Sequence, residues 1–233
     1  MFDAKASEGM RQAIDEAFSA AEAVADKKEF DPSPWYTHFM PKRQMGYTFG
    51  GLDRHFVSAG AGVLAVDSPR ALYRYLECLT DAGIAKLLQE YFDERPLLRA
   101  KKTTLRRTPP DAVAGWHQDP RSFSEPVRAL NIWAAFSPSG VDAPSLDIFA
   151  NRFDALVEPG VADILDDDTA ANGGIETVEQ PVFELGDAVL FDETAMHRTG
   201  ANKSMTQTRC AIEMWFFAAS MFPRQQVPLV MSN

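Results

Sequence analysis

Gly115-Trp116-His117-Gln118-Asp119 sets an imidazole and a carboxylate two residues apart, between residues that suit a strand. Side chains at i and i+2 of a strand share a face, so His117 and Asp119 are expected to aim at one point. A partner stands far along the chain. His197-Arg198-Thr199-Gly200 follows a strand-like run and a polar turn, and Arg209 opens another strand-like run twelve residues on. Two imidazoles and a carboxylate form the facial donor set that holds non-haem Fe(II) and leaves coordination positions open.

Outward from these motifs the chain reads mostly as strands separated by turn signals, the pattern of a sandwich or closed barrel. Leu97 to Thr108 fits a strand and is unusually basic, with Arg99, Lys101, Lys102, Arg106 and Arg107. Val127 to Phe136 is a strong strand, turned by Pro138-Ser139-Gly140, and Ser145 to Phe149 is a short one. Pro181 to Leu185 and Ala188 to Phe191 read as a hairpin about Gly186-Asp187. Met196 to Thr199 and Thr208 to Phe217 complete the strands. Residues 150 to 180, with Asp166-Asp167-Asp168 and Asn172-Gly173-Gly174, read as a solvated loop with a helical turn near Val161 to Leu165.

The N-terminal part has helical periods. Met10, Ile14, Phe18, Ala21 and Val24 recur at spacings of three and four, which predicts a helix over 7–28 with Ser7 as its cap. Ser68-Pro69 predicts a helix start, with Leu72, Tyr75, Leu76 and Leu79 as its apolar stripe. A break at Asp81 or Gly83 leads to a second helix over 84–92 with Ile84, Leu87, Leu88 and Tyr91 inward. Trp35 to Gly62 has no period and reads as irregular. The expectation is one domain, 1–233, with a mostly helical part (1–96) packing on a β core (97–220).

The bulk numbers exclude several classes. A net charge of -10 lacks the basic face of a nucleic-acid binder. No apolar run nears the ~20 residues that span a bilayer, so no membrane partner is expected. With 45% hydrophobic residues and 16 Phe, 233 residues can bury a sizeable core. Two cysteines, Cys78 and Cys210, and no apolar leader fit the cytoplasm.

Taken together, Trp116-His117-Gln118-Asp119, Leu130-Asn131-Ile132-Trp133, Pro181 to Phe191, His197-Arg198-Thr199-Gly200 and Arg209 resemble the phytanoyl-CoA dioxygenase family, from about Thr103 to Phe217. The resemblance implies a mainly β fold with flanking helices (α+β) around a double-stranded β-helix, the cupin-like jelly roll. It implies Fe(II), 2-oxoglutarate and O2, with succinate and CO2 as co-products and a small organic substrate. His117, Asp119 and His197 would hold iron. Arg209 would grip the far carboxylate of 2-oxoglutarate, since guanidinium is a planar fork that stays charged. Thr199, in step with His197, would add a hydrogen bond, Trp133 stands where members place a tryptophan against the co-substrate, and Arg106 is preferred to Thr108 as the polar contact from the preceding strand. Halogenases of the family lack the carboxylate ligand; because Asp119 is present, hydroxylation, or another outcome of hydrogen-atom abstraction such as desaturation, is favoured over halogenation.

Where many members carry Pro-Gly-Ser-His, this chain has Ala150-Asn151-Arg152-Phe153, so the substrate does not carry over. Trp116 is read as a core aromatic, His38 and His55 as loop histidines, and the Arg99 to Arg107 run as a largely solvated face. Arg121 and Arg128 are further candidates to hold an anionic group, and Trp35, Tyr36, Phe39 and Met40 read as a helix-packing patch. The rival reading is a jelly roll that keeps a metal for stability and binds or senses without turnover.

Overall fold

The computed structural model describes residues 1–25, 62–100, 103–112, 114–119, 126–156, 178–224 and 226–231. The expectations for Trp35, Tyr36, His38, Phe39, Met40, His55, Lys101, Lys102, Arg121, the helical turn at 161–165 and the acidic and glycine-rich loop lie outside them. The helices are α1 (Ala4–Ala25), α2 (Pro69–Asp81) and α3 (Ile84–Phe92). The strands are β1 (Val63–Leu64), β2 (Pro96–Arg99), β3 (Thr104–Thr108), β4 (Ala129–Ala135), β5 (Ser145–Phe149), β6 (Val178–Glu179), β7 (Ala188–Asp192), β8 (His197–Gly200), β9 (Arg209–Ala218) and β10 (Pro228–Val230).

Two antiparallel sheets face each other as a jelly roll. In the larger, β9 is central. One of its edges pairs with β4, which pairs on with β7; the other carries β3 and β2 end to end, with β1 and β10 outside them. The smaller sheet runs β6-β5-β8. The predicted continuous strand from Leu97 to Thr108 is therefore two strands. Pairing with β9 stops at Leu98–Phe216 and resumes at Thr104–Glu213, so β2 and β3 follow the same strand with a break between them.

Alternation along the larger sheet divides its two faces. Outward, Leu105, Leu130, Ile132, Ala134, Ile212, Met214 and Phe216 form one core with the helices. Facing them is the α1 stripe Met10, Ala13, Ile14, Ala17, Phe18 and Ala21, together with Tyr75 and Leu79 of α2 and Leu88 and Phe92 of α3. A strand covered on both faces has no wet side, which is why every residue of β4 and β9 is buried.

Several local expectations are corrected. α1 starts at Ala4, and Asp3 is the capping residue, its Oδ1 accepting from the Ala6 N–H at 2.7 Å. Ser7 is instead fully buried inside the helix. In α3 the inward stripe is Ile84, Ala85, Leu88 and Phe92; Leu87 and Tyr91 are 45% and 41% exposed. The sheet is met one position further round the helix than composition suggests. Residues 181–185 do not pair with β7. Phe183 bridges Ser139, and β7 pairs with β4. The turn at Gly186 holds, with φ +92° and the Gly186 carbonyl accepting from Phe2 N–H at 3.0 Å. Arg128 donates to the Phe92 and Tyr91 carbonyls at 2.7 Å each, closing the C-terminus of α3. Among the described members of the basic run, Arg99 binds Gln226, Arg107 binds Glu22 over the Phe18 ring, and Arg106 turns inward.

Candidate metal centre

His117 and His197 exchange backbone hydrogen bonds, each N–H donating to the other's carbonyl at 3.0 Å. A directly bonded antiparallel pair throws both side chains to one side of the ladder. The imidazole centroids lie 4.5 Å apart, tilted by 50°. Asp119 joins them differently from the strand argument. The backbone leaves the extended conformation after His117, and Asp119 stands where the chain turns. Gln118 pins that turn: it is buried and its Nε2 donates to the Thr194 carbonyl at 2.6 Å, just before β8. Asp119 Oδ2 then lies 3.5 Å from His197 Nε2, and Asp119 Oδ1 lies 4.0 Å from His117 Nε2. One donor atom from each residue falls within 4.8 Å of the others.

The tautomers suit coordination. His117 Nδ1–H donates to the Gly115 carbonyl at 2.8 Å, and His197 Nδ1–H to the Ala195 carbonyl at 3.2 Å. A carbonyl only accepts, so Nδ1 carries a proton, and Nε2 is the ring atom turned toward Asp119. Burial lowers the pKa of His197, against the pull of Asp119, and favours its neutral form. Access is uneven: the His117 side chain is 34% exposed, against 7% and 8% for His197 and Asp119. Phe191 packs at 4.6 Å from the His197 ring, and Trp116 stacks on Phe149 at 4.1 Å beneath the Arg198 guanidinium, a core role as expected.

The inward face of the larger sheet carries the rest. Register places Asn131, Phe191 and Trp215 in one row, Trp133, Val189 and Glu213 in the next, then Ala135 with Ala211 and Arg106. Arg209 pairs with Thr108 beyond these and is buried. Its NH1 donates to the Ser145 carbonyl at 2.6 Å and its NH2 to Thr108 Oγ1 at 3.1 Å, while Nε has no partner. Its guanidinium lies 5.1 Å from the Trp133 ring. Burial, and then Arg106, push its pKa down to about 9, which still leaves it charged at neutral pH.

Arg106 donates through Nε and NH2 to one oxygen of Glu213, at 3.2 and 2.7 Å. Thus the structure gathers His117, Asp119 and His197, puts Trp133 against Arg209, and engages Arg106 with Glu213. Thr199 is half-buried on the His197 face of β8, opposite Leu146. Thr108, set second to Arg106 in the sequence reading, is the residue of that strand that touches Arg209. Glu213 and Asn131 were not singled out. Their signal was a polar residue at an inward position of an otherwise apolar strand.

A family model for phytanoyl-CoA dioxygenase (PhyH) matches residues 81–211, more than half of the chain. No curated protein matches in sequence. Solved structures share the fold at low identity. A non-heme monooxygenase, ThoJ, in its apo form is 13% identical with a TM-score of 0.58, over 100% of this chain and 78% of that one. EctD from S. alaskensis, solved with 2-oxoglutarate and 5-hydroxyectoine, is 15% identical with a TM-score of 0.56, over 99% and 79%. The epimerase SnoN, solved with Fe3+, alpha ketoglutarate and nogalamycin RO, is 14% identical with a TM-score of 0.54, over 89% and 75%.

Proposed function

The chain belongs to the phytanoyl-CoA dioxygenase family of Fe(II)/2-oxoglutarate-dependent oxygenases, and from that premise we propose that it hydroxylates a small organic molecule in the cytoplasm, releasing succinate and CO2. His117, Asp119 and His197 hold the iron, and residues 1–233 act as one oxygenase unit whose helical part supports the β core. The observation that carries the reading is the convergence of three donor atoms within 4.8 Å, with each imidazole held at Nδ1 by a backbone carbonyl and turning Nε2 to the site.

The donor set fits Fe(II), which prefers imidazole and carboxylate over thiolate here. When bound, the iron supplies O2 activation coupled to decarboxylation of 2-oxoglutarate. The protein's share is binding and charge. Arg209 binds the distal carboxylate, its unpartnered Nε and buried fork being matched to an anion. Trp133 fixes the guanidinium plane from one side, Thr199 contributes a hydroxyl from β8, and Thr108 and Arg106 complete the polar wall. Arg106 and Glu213 cancel each other, and Asp119 offsets Arg209. A divalent ion then leaves two positive charges in the chamber, which a dicarboxylate neutralises. Retention of Asp119 favours hydroxylation over halogenation.

Purified protein given Fe(II), 2-oxoglutarate and O2 is expected to form succinate slowly without added substrate, and His117→Ala to abolish it. Succinate formation that survives His117→Ala rejects the assignment. A +16 product found by mass spectrometry across a metabolite library then names the substrate.

A further inference from the structure

Asn131 is the inward polar residue that the reading above leaves without a task. It stands in the middle of the sheet on β4, between Phe191 of β7 and Trp215 of β9, with 0% of its surface exposed. Its Nδ2 lies 3.5 Å from Asp119 Oδ2. The amide has one possible orientation there. A carboxylate only accepts, so the NH2 must face Asp119 and the carbonyl must face elsewhere. That carbonyl oxygen, Oδ1, is buried and has no hydrogen-bond partner. Phe191 flanks it with an aromatic ring, and the Trp215 indole N–H on the other side makes no hydrogen bond to it, so the acceptor is left open beside the metal ligands.

We propose that Asn131 is a positioning residue of the metal centre: its Nδ2–H steadies the Asp119 carboxylate and its Oδ1 accepts a hydrogen bond from a water molecule held by the metal. The inference rests on His117, Asp119 and His197 being the metal ligands. Two features favour water over a purely structural use. A structural asparagine in a buried strand satisfies both ends of its amide, and this one satisfies neither well without a donor: its one contact is long for N–H···O. A metal with three protein ligands keeps open positions that water fills, and such water is a strong donor. The cost of an open acceptor in the metal-free protein is then recovered on metal binding.

The test uses Co(II) alone as the probe, on the full chain. Asn131→Leu keeps the volume and removes both polar atoms. The expected result is a Co(II) dissociation constant raised about tenfold, the usual size of an effect transmitted through a ligand's hydrogen-bond partner, with a shifted visible absorption of the bound Co(II). The melting temperature of the metal-free variant stays level or rises, because a buried unsatisfied group has gone. Asn131→Ala gives the same change in Co(II) affinity and absorption if the leucine variant does not fold, its own cavity accounting for a lower melting temperature. A Co(II) dissociation constant within twofold of the unsubstituted protein overturns the proposal. So does a metal-free melting temperature of Asn131→Leu that falls in step with the loss of affinity, since that marks a structural role. If the unsubstituted chain itself fails to bind Co(II), the ligand assignment falls and takes this inference with it; normal binding with an indifferent variant removes this inference alone.

Discussion

The two faces of β9 are buried alike and built oppositely. Toward the helices it presents Cys210, Ile212, Met214 and Phe216; toward the barrel interior it presents Arg209, Ala211, Glu213 and Trp215. The first face is a packing surface whose worth lies in apolar area removed from water. The second places two ionisable groups where their desolvation opposes folding. β4 repeats the contrast, with Leu130, Ile132 and Ala134 outward and Asn131 and Trp133 inward. Burial alone therefore does not identify a core. What separates the faces is what the strands bury there: apolar side chains outward, and inward Arg209, Glu213 and Asn131, of which Arg209 Nε and Asn131 Oδ1 have no partner.

Substitutions on either side of this divide should fail in different ways. The largest effect is expected from His197→Ala, which removes one of the three proposed metal ligands on the inward side. Iron-dependent succinate formation should drop by at least about a thousandfold while the protein stays folded by circular dichroism. Next comes Phe216→Ala on the outward face, which leaves a cavity against Leu98 and Leu130. It should cost about 3–5 kcal/mol in denaturant unfolding, and the fraction that remains folded should keep its KM for 2-oxoglutarate. An altered KM there would mean that the two faces are not independent.

Arg209→Ala should act the other way round. Loss of a charge-assisted pair of about 1.5–3 kcal/mol raises the KM for 2-oxoglutarate by roughly ten- to a hundredfold, with a smaller change in melting temperature than Phe216→Ala; steady-state kinetics and calorimetry read the two. Arg209→Lys should recover little, because an ammonium cannot reproduce the fork. The smallest effect is pH dependence. Burial holds the His197 pKa below its ordinary 6.5, so the unfolded chain takes up the proton first as pH falls. The contribution of the neutral imidazole is present above about pH 6.5 and is lost as pH falls toward the folded-state pKa. The metal-free protein should melt lower at pH 5.5 than at pH 7.5, and His197→Gln should flatten part of that slope.

Much of the larger sheet could be read from the chain because its strands are continuous apolar runs ended by turn residues. β5 and β9 appear close to the predicted limits, and the grouping of His117, Asp119 and His197 was legible because a two-residue spacing and a distant histidine suffice to suggest a common site. The details missed depend on partners remote in sequence. Composition does not reveal that pairing with β9 breaks between Leu98 and Thr104, that Phe183 bridges Ser139 rather than β7, or that Arg106 is engaged by Glu213. A helix stripe can also be offset by one residue without changing its period, as Leu87 and Tyr91 show. Asp119 reached the predicted place by an unpredicted route, through the turn that Gln118 anchors rather than by strand alternation. Thr108 and Asn131 needed the register, because only pairing shows which inward residue meets Arg209 or Asp119.

An iron-edge anomalous difference map, from crystals grown anaerobically with Fe(II) and 2-oxoglutarate, examines the three-ligand arrangement without recourse to kinetics. One peak is expected, within bonding distance of His117 Nε2, His197 Nε2 and an Asp119 carboxylate oxygen, with the co-substrate's far carboxylate against Arg209. A peak elsewhere, or one that leaves either imidazole outside bonding distance, contradicts it.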